Sequence, residues 1–115
     1  MADLLQKKHE PHGILRLTLN DPVRRNALSE AMLDHLWDAI QLASDDTSVR
    51  AVIIAANGPA FCAGHDLKEL TAARANDDKG KAYFTKIMTR CSSVMRAILQ
   101  TPKPVIAEVT ATATA

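Results

Sequence analysis

Leu15, Leu17 and Leu19 alternate with Arg16 and Thr18, the two-residue period of a strand with one buried face. Pro11-His12-Gly13 marks a turn before this strand over 13–19, and the polar stretch 4–9, carrying Lys7 and Lys8, predicts an edge strand that completes a hairpin. Asn20-Asp21-Pro22 then breaks the pattern. From Ser29, a residue type that caps helices, the period changes. Met32, Leu33, Leu36, Trp37, Ile40 and Ala43 recur every three or four residues, which predicts an amphipathic helix to about residue 44. The apolar run 51–56 follows a polar loop and predicts a strand buried on both faces. Strand, helix and buried strand together form a βαβ unit, hence an α/β fold.

Beyond the turn signal Asn57-Gly58-Pro59, Asp66 and Glu69 have the spacing of a capping box, so a second helix is expected to start at 66 with Glu69 as the capping partner. Phe84, Ile87, Met88, Cys91, Val94, Met95 and Ile98 form one stripe of a long helix that Thr101-Pro102-Lys103-Pro104 stops. Residues 105–109 are a third apolar strand. Thr110 to Ala115 alternates two small residues, as expected of a low-complexity tail or of a chain cut within a domain. Trp37, Met32, Met88 and Met95 are expected in the core, and His9, His12 and His35 in solvent.

The chain has 115 residues, room for a single domain over 1–115, and its 47% apolar content excludes a disordered chain. Fourteen Lys and Arg against thirteen Asp and Glu give a net charge of +1. That leaves no broad basic field for nucleic acid or an anionic membrane. No apolar run reaches the roughly 20 residues of a bilayer span, and residues 1–8 lack the apolar core of a secretory leader. A reducing cytoplasm or organelle matrix fits. Cys62 and Cys91 lack metal-ligand spacing and are expected as free buried thiols.

The stretch 61–70 is the chemically informative one. Ala63-Gly64 leaves little side chain over a loop that feeds a helix capped by Asp66, so backbone there can approach a ligand closely. Helix-start N–H groups lack internal partners and can stabilise an anion or a developing oxyanion. By spacing alone the signal is weak, because a capped loop of small residues is more often only a connection.

Asp21-Pro22, Arg25-Asn26-Ala27-Leu28-Ser29, Ala51-Val52-Ile53-Ile54, Gly58-Pro59-Ala60-Phe61-Cys62-Ala63-Gly64-His65-Asp66-Leu67-Lys68-Glu69-Leu70 and Pro102-Lys103-Pro104-Val105-Ile106-Ala107 resemble, in order and spacing, successive blocks of the enoyl-CoA hydratase/isomerase (crotonase) family. The block from Gly64 to Leu70 is most similar to its subgroup of enoyl-CoA hydratase domain-containing proteins. The resemblance implies a crotonase-like spiral of strand-strand-helix turns, incomplete here, with residues 1–115 as the N-terminal portion of a single crotonase-fold domain. It also implies an enzyme of fatty acid metabolism that polarises an acyl-CoA thioester carbonyl with two backbone N–H groups, an oxyanion hole. Such a site most simply serves a lyase hydrating 2-enoyl-CoA, and isomerisation or thioester hydrolysis would share the same oxyanion logic. One donor maps to the N–H of His65. Asp66, Leu67 and Lys68 inherit a substrate-binding assignment, and Arg24 and Arg25 a contact with the CoA phosphates. No metal or separate cofactor is implied, CoA being part of the substrate. Partners would be an acyl-CoA thioester and further copies of the chain as a homotrimer or hexamer, with no nucleic acid and no membrane, in cytoplasm or mitochondrial matrix.

In the family, the strand resembling Val105-Ile106-Ala107 leads into Asn-Gly and a glycine-rich turn that supplies the second donor, with a catalytic carboxylate nearby. Thr110-Ala111 stand at the matching positions here, and the segment that usually bears the acid/base glutamates is not among these residues. The 115 residues alone are therefore expected to be nearly inactive and, with strand edges left unpaired, to aggregate or stay partly molten. The alternative is a non-catalytic acyl-CoA binder or interaction module. RNA binding has only the Arg24-Arg25 pair in its favour.

Overall fold

The computed structural model describes residues 3–114, so Met1, Ala2 and the last residue of the alternating tail, Ala115, lie outside the described residues. Strands β1 (Leu5–Glu10) and β2 (Ile14–Leu19) form the expected antiparallel hairpin, with Leu5 opposite Leu19 and Glu10 opposite Ile14. Helix α1 (Glu30–Asp45) follows, and β3 (Ala51–Ala56) returns parallel to β2 in the register Ile14 to Ala51. This is the predicted βαβ unit. Strand β5 (Val105–Ala107) adds parallel to β3 after helices α2 (Leu67–Ala73) and α3 (Lys81–Gln100).

The sheet order β1-β2-β3-β5 leaves the outer edge of β5 unpaired among the described residues. A second, two-stranded sheet joins β4 (Ala60–Cys62) to β6 (Thr112–Ala113) in parallel. Neither strand is predicted by the sequence, and β6 counts against the tail alternative at 112–113. Segments of three and two residues carry too few alternations to register as a period.

One core accounts for the main sheet. Leu5, Leu15, Leu17, Leu19 and Val52 face Met32, Leu33, Leu36, Ala39 and Ile40 of α1, and Ile87, Val94 and Ala97 of α3 extend the same cluster. Leu17, Met32, Leu33 and Val94 are fully enclosed. Ser29 caps α1 as predicted, its hydroxyl accepting the Met32 N–H. At the other end Lys103 donates through Nζ to the carbonyls of Ala43 and Asp46, putting a cation where the last carbonyls of a helix need donors.

Burial departs from the expected pattern in several places. Within β3 only Val52 and Ala55 are buried, because the second face of this sheet is only partly covered. Met88 and Met95 are 46% and 42% exposed, not core residues, since α1 covers only part of the α3 stripe. Trp37 is half-buried, and the Arg90 guanidinium lies over its ring at 5.1 Å. Cys62 and Cys91 are free but half-buried.

Candidate functional site

The loop after β2 and the loop after β4 are built against each other. A single 3-10 turn, Pro22–Arg24, ends in Arg25 and Asn26, both in the left-handed region at φ 54° and 56°. That conformation is costly for most side chains and tolerable for Asn. The cost is met by the Asn26 side chain, which is fully buried. Its Oδ1 accepts the Asp21 N–H at 2.8 Å, and its Nδ2 donates to the carbonyls of Asn57 at 2.8 Å and Ala60 at 2.9 Å. One amide thus ties the first loop to the turn between β3 and β4. Gly58 completes that turn at φ 93°, where a Cβ would meet the Pro22 Cβ at 2.7 Å.

With the loops locked, backbone bonds align them. Ala63 donates to the Arg25 carbonyl at 3.1 Å and Leu28 to the Gly64 carbonyl at 2.7 Å, giving a short parallel bridge between Leu28 and His65. The next residue, Asp66, is 6% exposed. Its Oδ1 accepts the N–H groups of Lys68 and Glu69 at 3.0 and 3.2 Å, capping α2 as predicted, and its Oδ2 accepts from Nη1 of Arg24 at 3.0 Å. Arg24 is therefore already engaged with a carboxylate, a contact the sequence did not suggest.

Glu69 does not close a capping box with Asp66. Its Oε1 accepts the N–H of Glu30 at 2.9 Å and so serves the first turn of α1 instead. The Glu30 carboxylate in turn takes the Lys86 ammonium and the Tyr83 hydroxyl. Burial, followed by the nearby charges of Glu69 and Glu30, pushes the Tyr83 phenol up to about 12. The folded chain therefore holds this proton more tightly than the unfolded chain, whose phenol ionises near 10. Stability from this group is complete below pH 10 and is lost as pH rises toward 12. Tyr83 is the single tyrosine of these residues. Its phenolate absorbance is expected to rise near pH 12 and not near 10; a reversible rise near pH 10 in folded protein would contradict this.

All of the residues singled out in the sequence, Arg24, Arg25, His65, Asp66, Leu67 and Lys68, line one cavity of about 550 Å³, with Val23 and Ala63 among its other walls. Two features mark it chemically. The His65 N–H has no acceptor among the described residues, although its neighbours Ala63 and Gly64 are both hydrogen-bonded. The cations Arg24, Arg25 and Lys68 share the cavity with one carboxylate, Asp66, which is committed to Arg24 and to α2. A groove of similar size, about 540 Å³, lies between α1 and α3, but its charges are paired, Glu30 with Lys86 and Asp34 with Arg90.

The His65 ring is half-buried, and its Nδ1 is enclosed without a partner among the described residues. His9, His12 and His35 are exposed. Among the described residues no cluster of His, Cys, Asp and Glu has the arrangement of a metal site. Asn26 is the residue that sequence reasoning missed: its tolerance of the left-handed region was legible, but its partners lie 31 and 34 residues away.

The model of the enoyl-CoA hydratase/isomerase family matches residues 9–115. The chain belongs to this family. It is 43% identical over 106 residues to the Xenopus laevis enoyl-CoA hydratase domain-containing protein 3, mitochondrial, covering 92% of this chain and 34% of that protein. It is 37% identical over 87 residues to the Escherichia coli 2,3-dehydroadipyl-CoA hydratase, covering 72% of this chain and 33% of that protein. The crystal structure of an enoyl-CoA hydratase from Mycobacterium smegmatis superposes with a TM-score of 0.85 at 49% identity, covering 94% of this chain and 40% of that one. The chain thus spans about a third of the length of the curated relatives it matches, and it carries part of the crotonase fold.

Proposed function

We propose that this segment supplies the carrier-binding wall and one oxyanion donor of an enzyme acting on an acyl-CoA thioester, in the simplest case hydrating a 2-enoyl-CoA. The observation that carries the reading is the unpartnered His65 N–H in a cavity that also holds Arg24, Arg25 and Lys68. A thioester oxygen that gains negative charge as water adds is stabilised by a donor already fixed in place, with no reorganisation at the moment of reaction. The Leu28–His65 bridge and the Asn26 hydrogen bonds fix that donor. Cations at the rim suit the phosphates of the carrier.

The remaining parts of an acyl transfer or hydration site would come from residues after 109. Thr114 donates its N–H to the Cys62 carbonyl at 3.0 Å and its hydroxyl to the Ala63 carbonyl at 3.1 Å, which supports a second donor arriving beside the first. Thr110-Ala111, in place of the family's Asn-Gly, favours the second reading, an acyl-CoA binder without turnover. Assembly as a homotrimer or hexamer goes with the acyl-CoA reading. The word mitochondrial in the vertebrate relatives' names supports the matrix over the cytoplasm. No helix among the described residues is long and apolar enough to cross a membrane.

The test is an assay of the full-length protein against 2-enoyl-CoA thioesters of several chain lengths, with thioester hydrolysis and double-bond migration followed in parallel. Hydration is the expected outcome. Tight binding with no turnover of any thioester would establish the binder instead.

A further inference from the structure

The Asp66 carboxylate is buried, and a buried charge is tolerated only when its oxygens are met by donors. Oδ1 is met by two backbone N–H groups of α2, and Oδ2 by the Arg24 guanidinium, 42 residues distant in sequence. A guanidinium carries five N–H donors in a rigid planar fork. Among the described residues Arg24 uses this fork only for Asp66, through Nη1, while its side chain remains 52% exposed on the cavity lining. One end of the fork is thus held before any ligand arrives, which removes much of the rotamer freedom that binding must otherwise freeze. Arg25 and Lys68 line the same cavity, but Asp66 takes neither of their side chains.

We infer that Asp66 is a positioning residue that holds Arg24 at the cavity, so that the spare guanidinium donors meet a phosphate of a CoA-type ligand already in place. This rests on the acyl-CoA reading and adds to it a division of labour. Arg24 touches the ligand; Asp66 acts through Arg24, and Arg25 and Lys68 act independently of it. Discrimination between a phosphorylated carrier and bare pantetheine then depends on a carboxylate that touches neither.

The test uses the full-length protein, with CoA, dephospho-CoA and pantetheine titrated against the wild type, Arg24→Met, Asp66→Asn and the double variant. Asn retains an acceptor for the α2 N–H groups but offers Arg24 no charge. Each single variant is expected to weaken CoA binding by about tenfold, the order of one charge-assisted hydrogen bond. The double variant should be no weaker than Arg24→Met, and pantetheine binding should be unchanged throughout. With acyl-CoA substrate KM rises while kcat is retained. Sensitivity lost with dephospho-CoA assigns the contact to the 3′-phosphate; sensitivity kept assigns it to the pyrophosphate.

Wild-type CoA affinity in Asp66→Asn beside a loss in Arg24→Met would overturn the positioning role, as would an equal loss for pantetheine. Should Asp66→Asn not fold, Arg24→Met at its half-exposed position still decides, because unchanged CoA affinity there removes the contact on which the role depends. A wild type that binds no CoA defeats the acyl-CoA reading itself, and the inference falls with it.

Discussion

In the full-length protein, His65→Pro is expected to lower kcat on an enoyl-CoA by about 100- to 1000-fold, the effect of deleting one oxyanion donor. His65→Ala is expected to keep most of the activity. The contrast isolates the backbone, because proline lacks the N–H that alanine retains. The expectation follows from the geometry: the 63–66 loop is anchored on either side by the Ala63 and Leu28 bonds and by the Asp66 cap, while the His65 N–H has no acceptor among the described residues. The φ of His65 is not positive, so the proline ring meets no left-handed backbone. Near-UV circular dichroism of both variants would verify that the loop is intact. If the alanine variant loses as much activity as the proline variant, the ring and not the N–H is the working group, and its enclosed Nδ1 becomes the atom to explain.

Asn26→Ala is expected to be the most damaging single truncation for stability outside the apolar core. It strands the carbonyl of buried Ala60 and removes the partner of the part-buried Asp21 N–H and of the carbonyl of exposed Asn57. An unsatisfied buried polar group costs about 1–3 kcal/mol. Placing alanine at φ 56° adds about 1 kcal/mol more. A total of about 2–4 kcal/mol is a large share of the 5–15 kcal/mol that separates a typical folded domain from its unfolded chain. Asn26→Gly should recover the backbone part alone, about 1 kcal/mol relative to alanine. Asn26→Asp should be as harmful as alanine, since it turns a carboxylate oxygen toward two carbonyls in place of the Nδ2 donor. Urea unfolding of the full-length variants measures all of these, and a loss below about 1 kcal/mol for alanine would show that water replaces the amide.

These two expectations draw on different kinds of information. The elements that carry the scaffold are visible in the amino-acid order because their burial is one-sided and local. The alternation over 13–19 predicts β2, the spacing from Met32 to Ala43 predicts α1, and the stripe from Phe84 to Ile98 predicts α3. The small residues ahead of the Asp66 cap make the stretch 61–70 legible as a place where backbone nears a ligand, and the resemblance adds Arg24, Arg25 and the roles of His65 to Lys68. The fold brings them to one cavity.

What periodicity could not supply depends on which surfaces meet. Met88 and Met95 satisfy the helical spacing but fall beyond the reach of α1, so they remain exposed. Strands β4 and β6 are too short for a period and exist because 60–62 and 112–113 are carried alongside each other. Glu69 has the spacing of a local cap, yet the N-terminus of α1 offers its carboxylate an unpaired N–H at 2.9 Å. The amino-acid sequence by itself determined the βαβ scaffold, the caps at Ser29 and Asp66 and the family, because each of these is written in neighbouring residues. Only the tertiary structure decided that Asn26 locks the two loops, that Asp66 holds Arg24 and that the His65 N–H is left free. Those are hydrogen-bond partnerships between residues tens of positions apart, and they come into being only when the chain has closed.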